Sequence, residues 1–124
     1  MANVVPNAFK GELLSGTHNF ASGGDSFKLA LYTSNPYTTS STAYSSGAGN
    51  EVSGSAPGYS TGGSALTSQA VASSTATASV DFANLTFSSA TFSAAFGAIY
   101  NDDKSDKLVV ILDFGGTKTA TNGD

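Results

Sequence analysis

The chain has 124 residues, 40% of them hydrophobic and 11% charged, with 14 glycines, 3 prolines and neither cysteine nor tryptophan; this is one domain's worth of sequence. Its 20 serines and 14 threonines, set against a charged fraction less than half the roughly 25% usual in soluble domains, imply a neutral, hydroxyl-rich surface. The net charge is −4 and every cation is a lysine, so the forked guanidinium donors that grip phosphate are missing and nucleic acid is not an expected partner. The absence of cysteine excludes disulfides, thiolate nucleophiles and zinc–thiolate sites.

The opening MANVVPNAF has neither the basic nor the long apolar segment of a secretion leader. Nowhere does the chain approach the roughly 18 apolar residues of a membrane-spanning helix, so a membrane is not an expected partner. Residues 6–15 carry Phe9, Leu13 and Leu14 at i, i+4 and i+5, which predicts a short helix opened by Pro6 and stopped by Gly16. A helix this short is marginal alone, so its apolar stripe must dock on the domain's own core or on a neighbour. The pattern then changes to period 2. Ser26 to Thr33 predicts a strand with Phe27, Leu29 and Leu31 on one face.

From 34 to 64 the sequence is Ser, Thr, Gly, Tyr, Asn and Pro with almost no aliphatic residue, which predicts a long loop with a short strand near Asn50 to Ser53. Tyr32, Tyr37, Tyr44 and Tyr59 can pin such a loop, each offering apolar area and a hydroxyl. Residues 76–114 hold the predicted core strands. Ala76, Ala78, Val80 and Phe82 alternate with Thr77, Ser79 and Asp81, giving one buried and one wet face. A similar alternation runs through Leu85 and Phe87, then, after a bend at Ala90-Thr91, through Phe92 to Tyr100. Asn101 to Lys107 is a polar turn, and Leu108 to Leu112 an apolar run buried on both faces. The chain closes on Asn122-Gly123-Asp124, a tight-turn signal with no strand after it, so a last strand is expected to be missing or supplied by another molecule. The fold class is therefore all-β, a small β-sandwich or jelly-roll-like barrel with one N-terminal helix.

Chemistry is sparse. His18 is the only histidine and has no evident nucleophile or acid partner, so a structural role near the helix end is expected. Asp102, Asp103 and Asp106 lack the glycine and distal glutamate of a calcium loop, and Lys104 and Lys107 neutralise them. Glu51 with Asp81 or Asp113 is the one conceivable glycosidase pair, without local support. Gly23-Gly24 and Gly62-Gly63 read as turns rather than phosphate cradles. No catalytic residue, metal or cofactor is expected. The tyrosine-rich loop favours anchoring in a protein assembly over sugar recognition.

Several segments, in order, carry a likeness: NAFKGELLSGTHNF, DSFKLALYTS, TAYSSGAGNEVSG, GYSTGGSAL, VDFANLTFSSATFSAAFGAIYND and LVVILDFGGTKT. Together they resemble a family of small virion structural proteins of tailed bacteriophages. The chain departs from the family pattern at Phe87 and at Ala95-Phe96-Gly97, and the family normally continues past the TKTATNGD segment into one more strand. The resemblance implies a non-enzymatic protein located in the virion, assembled in the host cytoplasm. It further implies a capsid decoration or cement protein, with the major capsid protein or other virion proteins as partners. A tail or fibre component with carbohydrate-binding loops is the alternative. Self-association into dimers or trimers is expected from an unpaired edge strand. The N-terminal helix and the tyrosine-rich loop are the expected interaction elements within the assembly, with Phe9, Leu13, Leu14, Tyr37, Tyr44 and Tyr59 as the contact residues.

Overall fold

A computed structural model describes residues 3–46 and 49–124; Gly47 and Ala48 of the predicted 34–64 loop lie outside the described residues. Helix α1 spans Asn7–Leu14. Pro6 is its N-cap rather than part of its first turn, and is fully buried. It offers no capping side chain, and the Asn7 N–H donates instead to the Thr39 carbonyl at 2.8 Å. Gly16 ends the helix at φ 73°, the left-handed turn that an L side chain disfavours. There the Thr17 N–H reaches the Glu12 carbonyl at 2.9 Å and the Gly16 N–H the Leu13 carbonyl at 3.3 Å, the paired bonds of a Schellman motif.

The strands are β1 (Phe27–Tyr32), β2 (Ser64–Ala65), β3 (Ala70–Ser74), β4 (Thr77–Asp81), β5 (Ala90–Asn101) and β6 (Lys107–Gly123). Four form an antiparallel sheet in the order β2-β1-β5-β6, while β3 and β4 make a separate two-stranded hairpin. The protein is all-β with one short N-terminal helix, and the sheet stays open, with β2 and β6 at its two edges and no barrel closed. The β5–β6 hairpin turns through the polar 101–107 segment as its sequence predicts.

Period-2 alternation sends the side chains of β1 to both faces of the sheet. Ala30 and Tyr32 pack with Tyr37, Ala98, Tyr100, Leu108 and Ile111. Leu31 packs with Val52, Tyr59 and Ala94. The strand predicted with one buried face is therefore covered on both, and the 34–64 loop supplies cover to each cluster. Its expected strand near 50–53 is a single bridge, Tyr32 to Glu51, flanked by Val52 N–H to the Leu31 carbonyl at 2.9 Å.

Three expectations are corrected. The alternation of 76–82 does form a strand, β4, but neither face is buried: every residue of β3 and β4 is exposed. Residues 82–89 around Leu85 and Phe87 are irregular rather than a strand. Asn122-Gly123 is not a hairpin turn: Thr117 to Gly123 is the far half of β6, paired back onto Ala90–Ala94, and Asn122 at φ 48° sits at a bulge between the Ala90–Gly123 and Phe92–Ala120 pairs. A Thr-rich run with one lysine is too polar to announce a strand, yet its β-branched residues suit one.

Candidate functional site

Two of the loop tyrosines, Tyr44 and Tyr59, converge on one carboxylate. Glu51 Oε1 accepts from the Tyr59 hydroxyl and the Gly62 N–H, both at 2.7 Å, and Oε2 from the Tyr44 hydroxyl at 3.0 Å. Tyr59 in turn accepts from the Leu31 N–H, which ties the loop to β1. The Tyr44 ring stacks on Tyr100 at 4.3 Å, and the Tyr100 hydroxyl donates to the Gly62 carbonyl at 2.6 Å. The Tyr32 and Tyr37 hydroxyls bond each other at 2.8 Å. Tyr37 and Tyr59 are buried, so these two proposed contact residues are core residues; their hydroxyls fold the loop and present no surface. Tyr44 is half-buried in the same lock.

Burial first, then the Glu51 bond, pushes Tyr44 up to about 12. Burial likewise raises Tyr32, Tyr59 and Tyr100 further. A phenol raised above its ordinary value near 10 contributes stability that is complete below about pH 10 and is lost as the pH climbs through the folded-state value. The chain is expected to unfold in alkali from about pH 10 upward, with phenolate absorbance and loss of circular dichroism rising in one transition. Full phenolate absorbance on a still-folded chain would contradict the lock.

His18 takes the structural role. Its side chain is 0% exposed and its Nε2 lies 3.0 Å from Glu12 Oε1 on α1. Its Nδ1 lies 3.0 Å from Asn101 Nδ2 on β5. Asn101 also donates to Asp25 Oδ2 and accepts from the Asp103 N–H, which fixes the amide so that Nδ1 accepts and Nε2–H donates to Glu12. Phe9 at 5.0 Å and Phe20 at 6.1 Å close over the ring. Burial opposes it, but the bonds from Asn101 and the Asn19 N–H, with Lys104 nearby, hold the Asp25 carboxyl below its ordinary range. A substrate has no route to an imidazole enclosed this way.

The acidic turn is distributed among other partners. Asp103 accepts from the Ser26 N–H at 2.7 Å and Asp102 faces Lys28 at 3.8 Å. Burial and the neighbouring Asp102 raise Asp106. Among the described residues no group of His, Asp or Glu is arranged to hold a metal. Glu51, Asp81 and Asp113 stand on the loop, the hairpin and β6 respectively, and Asp113 caps the Gly115 N–H at 2.8 Å.

What stands out is apolar. Among the described residues the exposed large hydrophobic side chains are Val5, Leu13, Leu14, Val71 and Val80. Four of them line one groove of about 360 Å³ between α1, the start of β6 and the β3–β4 hairpin, with Phe9 and Val110 among the other lining residues. Leu14, 92% exposed, stands at the end of α1 beside it. The helix stripe is thus split: Phe9 leans inward onto His18 and Phe20, while Leu13 and Leu14 face out. Among the described residues no ionisable one lines the groove. A second, larger cavity of about 700 Å³ lies over Phe87, Phe92 and Phe114, but Lys118 and Asp124 stand in its lining and its floor is the already buried Leu31 and Ala94. The groove is the better candidate because exposed apolar side chains gathered on one face mark docking surfaces. Sequence periodicity identified its helix side. The hairpin side was missed, because alternation shows that one face is apolar and not whether anything covers it.

No family model, curated protein or solved structure matches this chain.

Proposed function

We propose that this chain is a structural protein of a tailed-bacteriophage virion that decorates the head by docking on the major capsid protein at subunit junctions. The observation that carries the reading is the groove: α1, β6 and the hairpin hold Val5, Leu13, Val71 and Val80 in contact with water, at a cost that burial against a partner removes. The segment order given above supports the virion setting. Its lining is uncharged, so the matching surface on the capsid protein is apolar and neutral. Ten lining residues are fewer than the 20–30 a side of a stable stand-alone interface, which suits a protein held by many repeated weak contacts on a symmetric shell.

Purified chain is expected to bind assembled heads, and Leu13→Asp with Val80→Asp is expected to weaken that binding at least about 100-fold. Both side chains are exposed, so the circular dichroism and melting of the variant should match the parent. Electron microscopy of the intact particle should show the chain on the head. Density at the tail alone, or unchanged binding by the double variant, would overturn the reading.

A further inference from the structure

The β3–β4 hairpin is the least supported part of the molecule. Its ten strand residues are all exposed, and no other helix or strand packs on them. Among the described residues it is held at its base, where Gln69 donates to the Asp25 carbonyl at 2.6 Å, the Ala83 N–H reaches the Thr67 carbonyl at 2.9 Å, and Phe82 meets Phe27 edge-on at 5.9 Å. A two-stranded hairpin standing in water is marginal at best.

The chain protects its other sheet edges. β2 is two residues long. Along β6 the N-terminal half is bridged by Val4 at Ile111 and Ala43 at Lys107. The far half is broken by register shifts and carries Lys118. Short strands, irregular pairing and lysines are the devices that keep edges from pairing with other chains. β3 has none of them: Ala70-Val71-Ala72-Ser73-Ser74 pairs one-for-one with β4 and holds no charge, no proline and no bulge. β4 contributes three of the four hairpin residues that line the groove and carries Asp81, so β3 is the uncharged edge of the pair.

We infer that β3 is a strand-addition site for a second copy of this chain. The two β3 strands pair antiparallel about Ala72 and merge two hairpins into one four-stranded sheet. The occupant follows from the sequence of the edge itself. In this register Ala72 faces Ala72 of the second copy, Val71 faces its Ser73 and Ala70 its Ser74, so no two like charges oppose each other in a chain of net charge −4. Such an isologous contact closes on itself and ends at two copies. The odd-numbered residues of both β3 strands point to one face, so Val71 and its cross-strand partner Val80 from each copy make one valine band. That step goes beyond the virion reading and does not depend on it.

The chain contains no cysteine, so an introduced one has only its counterpart to join. Directly opposed residues of an antiparallel pair lie about 4.5–5.5 Å apart at Cα, within disulfide reach. Ala72→Cys is expected to give a covalent dimer in high yield on mild oxidation. Val71→Cys, whose counterpart lies two residues further along, should give little. In sedimentation at about 100 µM, where even weak pairs are populated, the parent should run as a dimer and Ala72→Lys as a folded monomer. Mixing Ala72→Lys with Ala72→Glu should restore the dimer. A parent chain that is monomeric at this concentration, a dimer that survives Ala72→Lys, or equal cross-linking at 71 and 72 each overturns the inference. All are read on the isolated chain, so their outcome is separate from head binding.

Discussion

Glu51→Ala is expected to lower the stability of the fold by about 3–5 kcal/mol. The carboxylate accepts from two tyrosine hydroxyls and one backbone N–H. Bonds to a charged acceptor are each worth about 1.5–3 kcal/mol, and donors left without a partner add their desolvation cost. Against a total of about 5–15 kcal/mol for a domain, this is at least about a fifth of the whole. Urea unfolding of parent and variant measures it. Glu51→Gln keeps an acceptor for Tyr59 and Gly62 while its amide faces Tyr44, whose hydroxyl can turn to accept, so it should cost roughly half as much. The loss should be accompanied by faster proteolysis within residues 34–64, because the lock is what holds that segment to β1. A cost below about 1 kcal/mol for Glu51→Ala would show that the stacked and buried rings hold the loop without it.

The elements whose legibility was best are those with a local physical signature. The α1 stop was readable because Gly16 supplies a positive φ that few residues tolerate. β1 and the β5–β6 hairpin were readable because their apolar residues alternate or run unbroken around a polar turn. The lock at Glu51 was half legible. Three tyrosines in a loop with almost no aliphatic residue announce pins, but the acid that Tyr44, Tyr59 and the Gly62 N–H share lies 7 to 11 residues from these donors, and no spacing rule links them. The burial of Tyr37 and Tyr59, which removes them from any contact surface, follows from that geometry. The hairpin failed in the opposite sense: Ala78 and Val80 alternate as a buried strand should, and the structure leaves them uncovered. A pattern that fits burial, on a strand that is not buried in the isolated chain, is what an interface looks like from the sequence side. Leu13 and Phe9 share one helix stripe and line the same groove, but Phe9 is half-buried against His18 and Phe20 while Leu13 is exposed.

Gly63→Ala is expected to be the most damaging small change, costing more than about 3 kcal/mol or preventing folding outright. Gly63 has φ 80° and precedes β2, where Ser64 pairs with Leu29 of β1. A methyl group there would overlap the Leu29 carbonyl oxygen and crowd Ala30 Cα. Both are backbone atoms of an inner strand, so nothing flexible can move aside, and relief requires pulling β2 and the Gly62 end of the Glu51 lock off the sheet. Gly16→Ala isolates the other contribution. Its φ is 73° and nothing lies within 4 Å of the added carbon, so it carries only the left-handed backbone cost of about 1 kcal/mol. The difference between the two variants in urea unfolding is the steric part, expected to exceed about 2 kcal/mol. Equal costs would mean that β2 is not seated against β1 as described, and that the chain from Glu51 to Ala65 is held by the tyrosines alone.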